Sequence, residues 1–256
     1  MYSVLSNVKN GLQSFARRLL PVAARRAVVR YTRRPPVGLV RFGSLRRLKP
    51  ISPYWGSERG QPIDRYYIEH FLSAQSSDIR GRVLEIGEDK YTRNFGGEQV
   101  TSSEILHVAE HRSKVTIIGD LTSADHIPAD AFDCVILTQT LQVIYDVPAA
   151  IRTVYRILKP GGVALATVPG ISKISRYDMD RWGHYWSFTT KSLQRLFEIV
   201  FPVENLKIEP HGNVLAAIAF LHGLATEELD KMELDYSDPD YQLLITVRAK
   251  KPGLRA

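Results

Sequence analysis

The sequence predicts an α/β fold, a doubly wound and mostly parallel sheet of the Rossmann-like type, joined to a basic helical extension. Three observations carry this prediction. From residue 63 onward, short apolar runs alternate with stretches of helical periodicity. The runs are nearly continuous in apolar residues, as expected where helices cover both faces of a sheet. Glycines and acids follow the runs. We therefore divide the chain into an extension, residues 1–50, and a body, residues 51–256.

The first half of the body contains one predicted helix and three predicted strands. The helix lies around residues 63–72. The first strand is short and ends before Gly87, the second is weaker and ends at Glu104, and Gly119 and Asp120 follow the third. The three strands are predicted at Arg82–Ile86, Gln99–Ser103 and Val115–Ile118.

The second half continues the alternation. Pro148 opens a helix whose apolar face includes Leu158, and Gly161 and Gly162 end it. Thr189 or Thr190 can cap a later helix that runs through Phe197. The longest apolar run, residues 214–221, indicates a buried helix segment. Further strands are predicted at residues 132–137, 163–168, 203–208 and 243–247.

Composition excludes several classes of protein. The 256 residues are 44% hydrophobic and 24% charged, as in an ordinary globular protein and unlike collagen, a disulfide miniprotein or a disordered chain. No window has about 18 uninterrupted apolar residues, so no transmembrane helix is predicted. The one cysteine, Cys134, excludes an intrachain disulfide and favours a reduced, cytoplasmic location.

The charge is concentrated in the extension. Of 34 basic residues, 12 fall in residues 1–50, which contain no acid. The body therefore contains the remaining 22 basic residues and all 27 acidic residues. Apolar residues recur at helical spacing along residues 4–20, with basic residues on the other faces. A basic amphipathic helix can lie on an anionic membrane surface, which predicts a peripheral position at the inner face of the membrane. Docking on protein remains open, and RNA is a weaker alternative.

Four residues mark the edge where the strands of such a sheet end and ligands bind. Glu104 follows Glu85 by 19 residues, a spacing suited to a carboxylate that accepts ribose hydroxyls. Asp120 could lie near an adenine amino group. Gly87 ends the first strand. The alternative interpretation is that Glu104 and Asp120 are solvated loop acids.

Four motifs, in order and spacing, resemble the class I S-adenosylmethionine-dependent methyltransferases. They are Val83-Leu-Glu-Ile-Gly87, Gly119-Asp-Leu121, Phe132-Asp-Cys-Val-Ile136 and Leu158-Lys-Pro-Gly-Gly162. The resemblance implies seven strands with the last antiparallel, and S-adenosylmethionine as cofactor. It implies contacts from Glu85 and Gly87 to the methionine end, from Glu104 to the ribose and from Asp120 to the adenine.

Two further segments of the sequence, residues 60–68 and 176–182, are similar to bacterial methyltransferase-like proteins associated with glycan biosynthesis. This similarity implies a glycan or nucleotide-sugar acceptor and a glycosyltransferase as a partner for residues 1–50. No base-directed Asn/Asp-Pro-Pro-aromatic run follows the fourth strand, so nucleic acid is not the expected substrate.

The glycine motif departs from the family pattern. Asp89 and Tyr91 stand where the second and third glycines of the loop would be. Their side chains could crowd the methionine end, or a shifted loop could still admit it. The second outcome predicts an enzyme. The first predicts a catalytically inactive methyltransferase fold that acts as a binding partner in glycan assembly.

The segment after the fifth strand, residues 169–188, carries the expected acceptor chemistry. Aromatic faces and charged groups suit a sugar, and a base helps to methylate a hydroxyl. His184 is the first candidate base and Asp180 the second, although a histidine beside tryptophans can be purely structural. The predicted substrate residues are Arg176, Tyr177, Trp182, Tyr185 and Trp186.

No metal is predicted. His107 and His111 have the four-residue spacing of helical metal ligands, but no third ligand follows nearby. The predicted function is therefore methyl transfer from S-adenosylmethionine to the oxygen of a sugar hydroxyl in a glycan or glycan precursor.

Overall fold

A computed structural model describes residues 21–24, 35–109 and 114–253. The chain divides into two units, residues 1–48 and 49–256. The first unit contains a 3-10 turn at Gly43–Leu45 within its described part. The helix predicted over residues 4–20 lies outside the described residues. Among the helices that are described, none combines the length and the apolar character needed to cross a bilayer.

The second unit is built on one seven-stranded sheet with the order β3-β2-β1-β4-β5-β7-β6. β7 is antiparallel to both of its neighbours, β5 and β6, and the other pairings are parallel. The seven strands with an antiparallel last strand are confirmed. The strands are β1 Gly81–Ile86, β2 Val100–His107, β3 Ile117–Ile118, β4 Phe132–Thr138, β5 Leu158–Pro169, β6 Leu206–His211 and β7 Leu244–Lys250.

Helices cover both faces of this sheet and bury two apolar clusters. Alternation along the central strands decides the face: Leu84 and Val135 point to one cluster, Val83 and Cys134 to the other. α3 and α5 pack on the first cluster, and α1, α2, α6 and α7 on the second. The helices are α1 Ile63–Ala74, α2 Lys90–Gly96, α3 Val147–Ile157, α4 Arg176–Arg181, α5 Thr190–Phe197, α6 Val214–His222 and α7 Lys231–Asp235.

Side-chain caps fix where two of the predicted helices begin. Asp146 accepts a hydrogen bond from the Ala149 backbone N–H at the start of α3. Thr189 caps α5 and accepts from the Ser192 backbone N–H, while the Ser192 hydroxyl bonds back to the Thr189 backbone. Each cap satisfies an N–H that has no partner inside the helix.

Several element boundaries differ from the sequence-based predictions. β2 continues to His107, because it pairs with β1 as far as Leu106 and with Ile118 of β3 at His107. Leu158 begins β5 and does not end α3, because it pairs with Phe132 of β4. The run at 203–205 is a 3-10 turn before β6. In addition, α6 is only partly buried, with Val214, Leu215, Ile218 and Leu221 exposed.

Candidate functional site

The larger cavity opens at the edge where β1, β2 and β4 end, as the doubly wound topology predicts. Its volume is about 730 Å³. Gly87 borders it in the left-handed region of backbone space, at φ +89°, and no atom lies within 4 Å of where a Cβ would stand. The backbone at the end of β1 therefore faces open space, as a ligand-binding turn requires.

Tyr91 does not crowd this cavity. Its side chain is 3% exposed and packs in the cluster between the sheet, α1 and α2. Its hydroxyl accepts a hydrogen bond from Arg65 Nη1 at 2.9 Å. Asp89 forms an ion pair with Arg93 at 2.9 Å. Neither Asp89 nor Tyr91 borders the larger cavity, so the loop does leave room beside Gly87.

Glu85 supports this loop from behind. Its buried carboxylate accepts hydrogen bonds from the Tyr91 and Thr92 backbone N–H groups at 3.1 and 2.7 Å, and from the Thr92 hydroxyl at 2.7 Å. Burial raises the pKa of Glu85, and these hydrogen bonds oppose the rise. Glu85 was predicted to contact the methionine end directly. It instead fixes the first turn of α2, and it does not border the larger cavity.

Glu104, predicted to contact the ribose from the end of β2, lies within that strand. It is three residues short of the end of β2, opposite Leu84 of β1. Arg82 Nε donates to its Oε1 at 2.8 Å, and Glu104 does not border the cavity. The residue at the strand end is His107, which does border it. The prediction of an acid at this end is wrong because β2 is longer than its apolar run.

The far wall of the larger cavity joins the strand ends to the segment after β5. The Trp182 ring meets the His107 ring edge-to-face at 5.7 Å. Asp120 borders the same cavity, and its Oδ1 accepts hydrogen bonds from the Thr122 N–H and hydroxyl at 2.8 and 2.9 Å. Both bonds go to one oxygen, which leaves Asp120 Oδ2 free of them. Trp182, predicted as a substrate residue, therefore faces the cavity assigned by sequence to the cofactor. His111 lies outside the described residues.

A smaller cavity of about 320 Å³ adjoins the first. Gln139 and Asp178 border both cavities. These two residues therefore form a wall that both cavities share. Residues that border the smaller cavity alone include Asp64, Arg65, Gln142, Lys173 and His184.

Gln139 is held in an unusual backbone conformation at this junction. It directly follows β4 and has φ +48°, a region that non-glycine residues seldom adopt. Its N–H donates to the Thr167 carbonyl at 2.8 Å, and its own carbonyl accepts from Gln142 Nε2 at 2.7 Å. Such conformations cost about 1–3 kcal/mol and cluster at functional sites. Gln139 could not be predicted as a candidate site residue from the sequence, because backbone strain leaves no signal in composition.

The second shared residue is Asp178, two residues before Asp180, the second candidate base predicted from the sequence. Asp180 is exposed, pairs with Arg176 at 3.4 Å and borders neither cavity. In α4 the two aspartates lie about 200° apart around the helix axis, so only one can face the site. His184 does border the smaller cavity, and its Nδ1 is buried without a hydrogen-bond partner in the described part of the chain.

The predicted substrate residues separate into three groups. Tyr185 borders the larger cavity together with Tyr145. Trp186 borders neither cavity but stacks on Tyr145, with the ring centres 6.0 Å apart, and its indole N–H donates to the Ile144 carbonyl at 3.0 Å. Arg176 and Tyr177 line neither cavity and stand on the exposed face of α4.

Comparison with known proteins assigns this architecture. The profile of a methyltransferase domain family matches residues 61–200, more than half of the chain. The chain belongs to this family. The match includes β1 to β5 and all the strand ends around the larger cavity. The sequence-based predictions of a methyltransferase and of S-adenosylmethionine as its cofactor are confirmed at the level of the family.

Individual relatives are more distant. A ubiquinone/menaquinone biosynthesis C-methyltransferase of Haemophilus ducreyi is 33% identical over 92 residues, 34% of this chain and 27% of that enzyme. The similarity therefore spans about a quarter of the relative's length.

Among solved structures, the N-methyltransferase NodS of Bradyrhizobium japonicum WM9 with S-adenosylhomocysteine is 15% identical over 81% of this chain and 94% of that one, at a TM-score of 0.49. A methyltransferase of Archaeoglobus fulgidus is 16% identical over 73% and 90% of the two chains, at a TM-score of 0.47. The likeness at this identity concerns the fold alone.

The residues around the larger cavity fit the cofactor of this family. Open space in front of the Gly87 backbone suits the methionine end. The paired rings of Trp182 and His107, with Asp120 beside them, suit a flat base that carries an amino group. Bound there, S-adenosylmethionine supplies an electrophilic methyl group on a sulfonium. The chain's own part would be to hold the cofactor beside Gly87, His107, Asp120 and Trp182, which all border the larger cavity.

Proposed function

We propose that this protein transfers a methyl group from S-adenosylmethionine to a sugar hydroxyl in a glycan or a glycan precursor. The observation that carries the proposal is the pair of adjoining cavities with Gln139 and Asp178 at their junction. Methyl transfer needs a donor and an acceptor in line at contact distance, and two pockets that share a wall provide this arrangement.

The junction supplies groups for the acceptor oxygen. A hydroxyl becomes a better nucleophile when a neighbouring base takes its proton as the new bond forms. Asp178 is half-buried and borders both cavities, which makes it the candidate base. His184 is a second candidate in the smaller cavity, and Gln139 offers an amide that can orient the hydroxyl.

An aromatic surface beside the mouth supports a sugar as acceptor. Tyr145 is 71% exposed, Tyr185 49% and Trp186 40%. The Tyr145 ring packs against the rings of the other two. Exposed aromatic rings bind the C–H faces of sugars while hydroxyls bond to polar neighbours. The hydrogen bond from Trp186 to Ile144 fixes the indole before any ligand arrives.

The catalytically inactive alternative receives less support. It rested on Asp89 and Tyr91, and both side chains lie away from the larger cavity. For location and partners, our proposal follows the sequence. The protein is cytoplasmic and peripheral at the inner face of the membrane, and its residues 1–50 bind an anionic surface or a glycosyltransferase.

The test begins with cofactor binding by calorimetry. Purified protein is titrated with S-adenosylmethionine and S-adenosylhomocysteine, beside Asp120→Asn and the matched control Glu104→Gln. We expect micromolar binding that Asp120→Asn weakens and Glu104→Gln leaves unchanged. No binding at millimolar ligand by a folded sample would overturn the enzyme proposal.

Acceptors are then screened by mass spectrometry. Sugars, nucleotide sugars and glycan fragments are incubated with the cofactor, and a gain of one methyl group on oxygen is the expected product. Methyl transfer to nitrogen or carbon acceptors, with none to sugars, would contradict the sugar assignment while keeping the methyltransferase.

A further inference from the structure

The smaller cavity contains a lysine without an anionic partner. Lys173 Nζ donates to the Pro53 carbonyl at 2.6 Å and lies 3.5 Å from the centre of the Trp55 ring. It forms no ion pair with a carboxylate in the described part of the chain. Burial lowers the pKa of Lys173, the mark of an ammonium that lacks full solvation. Two of its three N–H groups remain available, since an ammonium has three donors.

An arginine that, like Lys173, has no ion pair in the described part of the chain borders the same cavity. Arg65 Nη1 donates to Tyr91, and the guanidinium forms no ion pair within the described residues. Its neighbour in sequence, Asp64, accepts a hydrogen bond from the Arg65 backbone N–H at 2.9 Å and not from the guanidinium. A guanidinium has five donors in a planar fork, and its best partner is a carboxylate or phosphate.

Two carboxylates border this cavity as well, and their charges must be weighed. Burial raises the pKa of Asp64, and the charge of Arg65 and backbone hydrogen bonds oppose the rise. Asp178 stands at the junction with the larger cavity, where the methyl group is transferred under the proposed function. Away from the junction, the described lining of this cavity holds two cations, Arg65 and Lys173, against the one carboxylate of Asp64, so positive charge exceeds negative charge there.

Resting on the proposed function, we infer that the smaller cavity binds an anionic group of the acceptor, a carboxylate or a phosphate, through Arg65 and Lys173. The acceptor class is then an acidic sugar or a phosphorylated sugar, with its hydroxyl turned toward Asp178 and Gln139. The hydrogen bond of Lys173 to Pro53 leaves the ammonium free to donate twice more to such a group. Arg65 supplies the fork that a flat carboxylate or a tetrahedral phosphate accepts.

Another use of Arg65 gives an opposing prediction. The carboxylate of the methionine end of the cofactor is also an anion, and it would lie in the neighbouring cavity. If Arg65 bound that carboxylate, its loss would weaken S-adenosylhomocysteine and leave the acceptor unaffected. The two assignments differ in which ligand responds to the same substitution.

The experiment measures both ligands on the same variants. The full chain and the variants Lys173→Gln and Arg65→Gln are titrated with S-adenosylhomocysteine. The saturated complexes are then titrated with inorganic phosphate, glucuronate, glucose 6-phosphate and uncharged glucose. Lys207→Gln is the matched control, because Lys207 borders neither cavity and pairs with Glu209 at 2.9 Å on the edge strand β6. Circular dichroism and thermal unfolding check that each variant folds.

We expect the anionic probes to bind and glucose to bind more weakly, by about tenfold, the value of one charge-assisted hydrogen bond. Lys173→Gln should weaken the anionic probes by a similar factor and leave S-adenosylhomocysteine within about twofold. Stronger binding of glucuronate than of glucose 6-phosphate identifies a carboxylate ligand, and the reverse order identifies a phosphate.

Three results would overturn the inference. One is equal binding of glucose and the anionic probes by a protein that binds S-adenosylhomocysteine. The second is a loss confined to S-adenosylhomocysteine in Arg65→Gln with the anionic probes unchanged in Lys173→Gln. The third is the same weakening in Lys207→Gln, which would indicate general electrostatic attraction. Failure of S-adenosylhomocysteine to bind the unaltered chain is a separate outcome, which counts against the proposed function itself.

Discussion

Arg65 donates from Nη1 to the Tyr91 hydroxyl at 2.9 Å, and this bond ties the altered glycine loop to α1. Tyr91, one of the two loop residues that depart from the family's glycine pattern, thus belongs to the protein core. Arg65 in turn borders the smaller cavity. The bond therefore connects the turn that faces the larger cavity with the wall of the smaller one.

Replacing Tyr91 tests this relationship. Tyr91→Gly, which moves the loop toward the family pattern, should lower the free energy of unfolding by about 4 kcal/mol, because it empties a buried aromatic site. It should not strengthen S-adenosylhomocysteine binding. Tyr91→Phe keeps the ring and should cost about 1 kcal/mol through the lost hydrogen bond. Urea denaturation and calorimetry measure both effects. Tighter binding by Tyr91→Gly would show that the side chain does obstruct the cofactor.

Substitution of the two tryptophans in the segment after β5 should weaken the binding of different ligands. Trp182 borders the larger cavity and Trp186 does not. Trp182→Ala should weaken S-adenosylhomocysteine by about tenfold through loss of an aromatic contact. Trp186→Ala should leave that affinity unchanged and weaken sugar acceptors. Equal losses of S-adenosylhomocysteine in both variants, measured by calorimetry, would contradict the division of this segment between the two ligands.

Strain at Gln139 predicts opposite effects on stability and activity. Gln139→Gly relieves the left-handed backbone and should raise the free energy of unfolding by about 1 kcal/mol. It also removes the amide between the cavities, so methyl transfer should fall. Asp130→Gly is the matched control, since Asp130 has φ +53° and borders neither cavity. Undiminished transfer by Gln139→Gly would remove Gln139 from the site.

His211 predicts a pH dependence of stability. Burial lowers the pKa of His211, which stacks on Tyr67 at 5.7 Å and shares a hydrogen bond of 3.0 Å with the Thr246 hydroxyl. Glu209 opposes the shift, and Lys207 and His70 add to it.

Because its folded-state pKa lies below the ordinary 6.5, the unfolded chain binds the proton first as pH falls. The stability contribution of His211 is thus complete above about pH 7 and declines below it. His211→Gln should flatten the slope of unfolding free energy between about pH 7 and about pH 5. An unchanged slope would assign the pH dependence to other groups.

Much of the fold could be predicted from local pattern. Apolar runs predicted β1, β4 and β5, because burial on both faces of a sheet requires neighbouring apolar residues. Thr189 predicted the start of α5, because a helix cap acts on residues next to it in the chain. The end of β2 could not be read in this way. It is set by pairing with β1 and β3 and not by apolar character, so Glu104 was assigned to a strand end that belongs to His107.

By itself, the sequence determined the alternation of strands and helices, the position of Asp120 after the third strand and the position of Gly87 at the end of the first. These depend on residues close together in the chain. Only the tertiary structure decided that Tyr91 turns into the core, that Asp178 and not Asp180 faces the site, and that Gln139 stands between two cavities. Each of these depends on the direction of a side chain or backbone turn, and that direction is fixed by packing between elements distant in sequence.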